Sequence, residues 1–369
     1  MTQTKLAASP GASLPPAQRL DYLDAVRAFA ILCVVAIHAK GYALPMDPAT
    51  ASIVDLIVHQ AAVPLFFLVD GWLMAHSALA GKQTSYPEML RSSARRLLLP
   101  WLLFTVAYGL ARYLFERFGV LDSNIIFGAT APDVVIAAWG SVYSPQLYFL
   151  VSLFLIRLLT PLHRTLTLRC GFLALLGIAA GYALFYRAIS PWTLALLDME
   201  NGQEPLLHAL YNYQYYLLGM ALRKLPESVS PWPWALGLLA LYGGACVFFW
   251  TGGAEPYPNY IKFPYLVGSL LLASTGILNS APVLWLGRNT MPLFLLHLPI
   301  LLKVSELAAA PLTDTPFVSF LLAWLFSIAL SLLVLWILRK LPYHELLFGE
   351  TRRTARSPAQ DAASAARAG

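Results

Sequence analysis

Residues 19–42 read RLDYLDAVRAFAILCVVAIHAKGY. An apolar run of about 20 residues is enough to cross a bilayer as a helix, and this stretch has that length. Yet it also carries Asp21, Asp24, Arg27 and His38. A charge within the bilayer costs at least about 2.5–3.5 kcal/mol on insertion scales, so charged and polar residues held there are the first candidates for function. Asp24 and Arg27 stand three residues apart, on one face of a helix. Arg27 and His38 are eleven residues apart, which is three turns and about 16 Å of rise. Their side chains therefore share nearly one face. That geometry suits a line of polar groups facing a cavity within a helical bundle. It equally suits an interfacial Asp24–Arg27 pair, with His38 as a residue of helix packing.

The rest of the 369-residue chain has the same character. Hydrophobic residues make up 58% and charged residues 12%, against about 25% charged in soluble domains. Mean hydropathy is +0.63. A soluble core cannot hide that much apolar surface, so lipid must be the solvent for most of the chain. Ten apolar runs, near 25–44, 52–80, 97–117, 145–163, 170–188, 206–222, 233–251, 262–279, 283–303 and 317–338, predict an all-α polytopic bundle of about ten transmembrane helices. A weaker run over 129–143 reads as a re-entrant or interfacial piece.

With the N-terminus inside, seventeen Lys and Arg residues fall in cytoplasmic segments and six outside, while Arg27 and Arg288 fall within spans. This asymmetry predicts a multi-pass protein of the inner membrane with both termini cytoplasmic. The net charge of +6 then reports topology and not a nucleic-acid partner. Residues 1–20 lack the apolar segment of a signal peptide and are expected to be a flexible tail, as are 341–369, with 21–340 forming the membrane-embedded domain. The three cysteines lie far apart in apolar runs and argue for neither a disulfide framework nor a metal site.

Further polar residues interrupt the other spans. VPLFFLVDGWLM (63–74) holds Asp70, a group that must be paired, protonated or facing a wet cavity. It reads either as a partner for an Arg on another span or as a functional carboxylate. RSSARRLLLPWLLF (91–104) places Arg95 and Arg96 at the mouth of the third span, as positive-inside anchors or as a basic site for a phosphorylated donor. SPQLYFLVSLFLIRLLTPL (144–162) puts Gln146 and Tyr148 at the outer entrance of the fourth. In WLGRNTMPLFLLHLPIL (285–301), Arg288 and His297 would point to opposite faces of an ideal helix, which Pro292 can kink. His297 lies at a depth matching His38 if the two spans face each other. The chain has no phosphate-binding P-loop, HExxH, CxxC or GxSxG motif. No half-to-half repeat is visible, which weighs against a transporter, although intramembrane Arg, Asp and His also suit a carrier or flippase path.

Six blocks, in order over most of the chain, resemble the acyltransferase-3 family of multi-span membrane acyltransferases: LDAVRAFAILCVVAIHA, VPLFFLVDGWLM, RRLLLPWLLF, PQLYFLVSLFLIRLLTP, YYLLGMALRK and GRNTMPLFLLHLPIL. The resemblance implies transfer of an acyl group, usually acetyl from acetyl-CoA, to a hydroxyl of an exported or envelope carbohydrate. No permanently bound cofactor is implied. The implied catalytic histidine is His38, with Arg27 its partner in the same helix, and Arg95 and Arg96 are the implied donor contacts. Two positions depart from the family pattern. Asp70 stands where Ser is usual, and Arg91, Arg95 and Arg96 are spaced differently from the usual two arginines three apart. The chemistry suits these residues, because an imidazole with a pKa near 6.5 can take a hydroxyl proton at neutral pH. A carboxylate such as Asp70 would orient it, with Asp24, Arg288, His297 and Tyr148 in support.

Overall fold

The computed structural model describes residues 20–82, 84–121, 124–196, 204–226, 229–251 and 261–350. Every one of the ten apolar runs forms helix, and no strand occurs among the described residues. Seven helices are long and apolar enough to cross a bilayer. They are α1 (Asp21–Tyr42), α2 (Pro48–Leu79), α3 (Tyr86–Arg117), α7 (Phe172–Leu196), α9 (Pro231–Thr251), α12 (Thr290–Leu312) and α13 (Pro316–Leu338). The pair α5 (Pro145–Arg157) and α6 (Thr160–Arg169), bent by 59°, makes an eighth if it is one span.

The other two of the ten runs fall short of that standard for different reasons. Helix α8 (Glu204–Leu222) is long enough but carries His208, Asn212, Gln214 and four tyrosines. It tolerates them because Tyr215 and Tyr216 are fully buried against neighbouring helices and shielded from lipid. Helix α10 (Lys262–Ser274) has 13 residues, about 20 Å of rise against the ~30 Å of a hydrocarbon core. The weaker run of 129–143 holds α4 (Ala131–Trp139), a nine-residue helix with no buried residue, started by a Thr130–Asp133 capping box.

Helix α1 runs through the centre of the bundle. Ala25, Ala28, Ala30, Ala36 and Ala39 are all buried, and these small side chains let neighbours approach from several sides. Helices α2 and α8 touch backbone to backbone: a Cβ on Gly71 would stand 2.0 Å from the carbonyl oxygen of Tyr216, and one on Gly219 1.9 Å from that of Leu68. Only glycine permits this backbone contact, the means by which helices associate where lipid removes the hydrophobic drive. The peripheral helix α13 shows the reverse arrangement to a soluble helix. Its buried face carries Ser319, Ala323, Ser327 and Ser331, four apart, while Leu325, Leu333 and Trp336 face outward.

Two helix breaks come from proline. Pro161 has no N–H to offer the carbonyl of Arg157, and the hydroxyl of Thr160 donates to that oxygen instead at 2.6 Å. Pro292 likewise cannot bond the carbonyl of Arg288, and helix α11 (Ala281–Arg288) ends there, with α12 starting at Thr290. The polar stretch beyond residue 340, expected to be a tail, is packed as far as Glu350. It forms a single turn, α14 (His344–Leu347), and Phe348 is buried. Residues 1–19 and 351–369, where the tails are expected, lie outside the described residues.

Candidate active site

Two adjoining cavities open among α1, α2, α3, α5 and α11. One has a volume of about 300 Å³ and the other about 540 Å³, and both are lined by Arg27, Asp70, Arg96 and Arg157. Arg27 reaches them from the first third of α1, with its Nη1 3.2 Å from the carboxylate of Asp24. Asp24 is itself buried and also accepts from Arg288 Nε at 3.3 Å, while Arg288 Nη2 bonds Asp21 at 3.1 Å. A Cβ on Gly287 would meet the Asp24 carbonyl oxygen at 1.9 Å, so a glycine is what lets Arg288 reach across to α1. Arg288 lines the smaller cavity. Asp24, Arg27 and Arg288 thus form one charged group at the α1–α11 contact.

Asp70 does not orient His38, as the sequence-based pairing had it. Both of its oxygens are taken by Arg157 of α5, through Nε at 3.1 Å and a shorter bond from Nη2. The alternative role, partner to an arginine of another span, is the one that the geometry gives. Arg95 and Arg96 also part company. A wide, π-type turn over Ala94–Leu98 precedes Pro100, and it turns Arg96 into both cavities while Arg95 lines neither. Arg96 has no carboxylate partner among the described residues, unlike Arg27, Arg157 and Arg288. Among the four residues shared by the two cavities, its charge is the one left uncompensated.

At the far end of α1, His38 meets His297, with ring centroids 5.3 Å apart. His297 opens a second wide turn, His297–Leu301, where Leu298 takes an extended conformation (φ −122°, ψ 154°), as the residue before a proline prefers. His297 Nδ1 faces the carbonyls of Phe294 at 2.9 Å and Leu293 at 3.2 Å. Two acceptors there require Nδ1 to carry the proton, so Nε2 presents a lone pair. Nε2 is buried and has no donor among the described residues. Gln146 adds a second such acceptor: its amide nitrogen donates to Leu298 O at 3.0 Å, leaving a buried Oε1 without a donor. Buried polar atoms rarely stay unmatched, and two bare acceptors, one of them on the ring 5.3 Å from His38, suit a hydroxyl-bearing molecule. Tyr148 stands apart from both cavities, stacked on His208 at 3.8 Å.

Phe66, Phe149 and Phe294 separate the basic chamber from the histidine pair. All three line the smaller cavity. Phe149 lies 5.7 Å from Phe66 and 5.2 Å from Phe294, and Phe294 lies 6.1 Å from His297. The C-terminal segment lines the same cavity with Phe348, Gly349 and Glu350, and Glu350 is paired to Arg339 at 3.3 Å.

Sequence reading undervalued Arg157, and it left Phe348 and Glu350 in a tail. One signal was available for the arginines. Arg96, Arg157 and Arg288 each precede a proline by four residues (Pro100, Pro161 and Pro292). Each proline leaves the arginine's own carbonyl without its helical partner, so the helix loosens or ends where the guanidinium must enter the chamber. No comparable local pattern announces Phe348.

No curated protein and no solved structure matches the chain. The family model described as an acyltransferase domain (acyltransferase 3) matches residues 20–340, which include every helix from α1 to α13, the four arginines of the two cavities and both histidines of the His38–His297 pair. The chain belongs to the acyltransferase-3 family, and is a multi-pass membrane acyltransferase.

Proposed function

We propose that the protein moves an acyl group, most simply acetyl, from cytoplasmic acyl-CoA to a hydroxyl of an exported or envelope carbohydrate, in the inner membrane and with both termini inside. The observation that carries this reading is the layout of α1. Its Arg27 end opens on a basic chamber, and its His38 end meets His297, whose bare Nε2 is one of two unmatched hydrogen-bond acceptors there, the other being Gln146 Oε1. The arm of coenzyme A from phosphate ester oxygen to sulfur contains twelve bonds, the length of four extended residues, or about 14 Å. The rise from Arg27 to His38 is about 16 Å. A donor whose phosphates sit among Arg27, Arg96 and Arg157 thus brings its thioester to His38.

In this scheme His38 takes the proton of the acceptor hydroxyl, and the oxygen attacks the thioester carbonyl. The carbon–sulfur bond breaks, the ester forms, and the departing thiolate regains a proton from the imidazolium. His297 Nε2 and Gln146 Oε1 hold neighbouring hydroxyls of the acceptor. Acetyl is favoured over succinyl or longer groups only by the family's usual habit.

The test combines purified protein in proteoliposomes with envelope analysis. Acetyl-CoA should be cleaved when acceptor glycan is supplied, and mass spectrometry of glycans from a deletion strain should show a lost ester. His38→Ala should abolish the cleavage and fail to restore the ester in the deletion strain, while membrane expression stays normal. Full turnover by that variant removes His38 from the mechanism, and movement of a substrate across the bilayer without thioester cleavage makes the protein a carrier.

A further inference from the structure

The larger cavity extends past the shared arginines toward the end of α2. There it is lined by Lys82 and Arg164, with Tyr86, Met74 and Met89 between the two ends. Lys82 lies just beyond the C-terminus of α2 and Arg164 on α6. Arg164 Nη1 donates to the carbonyl of Lys82 at 3.2 Å, which holds the two cations at one mouth. Neither has a carboxylate partner among the described residues, so their charge is available to an anion. At the inner end, the hydroxyl of Tyr216 is fully buried, has no hydrogen-bond partner, and belongs to a residue lining the same cavity. One cavity therefore presents two separate sets of anion-binding groups, with a soft apolar wall between them.

We infer that the larger cavity holds a donor with two phosphate centres, and that Lys82 and Arg164 bind the second of them, the 3′-phosphate of a coenzyme A nucleotide. This rests on the acyl-CoA reading above. Arg96, Arg157 and the Tyr216 hydroxyl face the pyrophosphate. A ribose joins the two centres through six bonds, about 7 Å, and flexible Lys and Arg side chains entering from α2 and α6 close the remaining gap. Met74, Met89 and the Tyr86 ring, whose hydroxyl is fixed on Leu158 O at 2.9 Å, offer the base an apolar, polarisable wall. The consequence is discrimination: a carrier-bound acyl group whose pantetheine lacks this nucleotide binds only half of the site.

The test is equilibrium binding of acetyl-CoA and acetyl-3′-dephospho-CoA to the full-length protein in nanodiscs, where no acceptor is needed. The wild type should prefer acetyl-CoA by tenfold or more, since each charge-assisted contact to a phosphate is worth about a factor of ten. Lys82→Gln and Arg164→Gln should each weaken acetyl-CoA about tenfold and leave acetyl-3′-dephospho-CoA within about twofold, so the second ligand also reports correct folding. Arg164→Lys should restore part of the preference. Equal affinity of the wild type for both ligands overturns the inference and leaves the donor reading standing, as does an equal loss of both in the two Gln variants. A wild type that binds neither thioester overturns the donor reading and this inference with it.

Discussion

Replacing Asp70 with Asn keeps the shape of the side chain and removes the charge that compensates Arg157. Breaking a buried ion pair from one side costs about 3–5 kcal/mol, because the remaining charge is left stranded. Here Arg157 and Asp70 keep 23% and 14% of their side-chain surface exposed, both toward cavities that admit water, which lowers the expected cost to about 2–3 kcal/mol. At about 2 °C per kcal/mol for a chain of this length, the apparent unfolding midpoint in detergent should fall by roughly 4–6 °C. Arg157→Met alone should cost a similar amount. The double variant, with no stranded charge, should lose less than the sum, with a coupling energy of about 1–3 kcal/mol. The measurement is fluorescence-detected size-exclusion chromatography after heating, run as a complete cycle of four proteins. Simple additivity would remove the pair from the account. So would a matching coupling between Asp70→Asn and His38→Ala, which would return Asp70 to the role of orienting the histidine.

Two further outcomes separate neighbouring residues. Arg96→Ala should raise the donor KM about tenfold, the value of one charge-assisted contact, while Arg95→Ala, outside both cavities, should stay within about twofold. Steady-state kinetics with acetyl-CoA as the varied substrate reads both, and equal effects would contradict the placement of Arg96. Gly219→Ala forces a methyl to within 1.9 Å of the Leu68 carbonyl. The α2–α8 contact must then open at a cost of about 1–3 kcal/mol, seen as a lower midpoint of thermal unfolding, whereas Gly177→Ala, with open space around it, should leave that midpoint unchanged.

The bundle was legible because hydropathy is a local property: each of ten apolar runs became a helix. Which of them contact lipid was not, because Tyr215 and Tyr216 look alike in sequence whether they face solvent, lipid or another helix. The charged residues of α1 were conspicuous for the same reason, as expensive groups in an apolar run, and His297 was matched to His38 by depth alone. Asp70 shows the limit. Its need for a partner was plain, but choosing Arg157 over His38 depends on how α2 lies against α5, and the Gly71–Tyr216 approach that sets α2 on α8 is not local information. The separation of Arg95 from Arg96 required knowing that Pro100 follows a wide turn, which alters the direction of each side chain by more than a helical wheel conveys.

The C-terminal segment carries a practical corollary. The family match stops at residue 340, and a reporter or purification handle would naturally be spliced there. Phe348, Gly349 and Glu350 nevertheless form one side of the arginine chamber, and the backbone at Gly349 sits so close to Arg96 that a Cβ would lie 2.4 Å from its carbonyl oxygen. A fusion made at the edge of the match would keep every membrane-spanning helix but breach the arginine chamber, so a silent fusion of that kind reports on the missing wall and not on the chemistry.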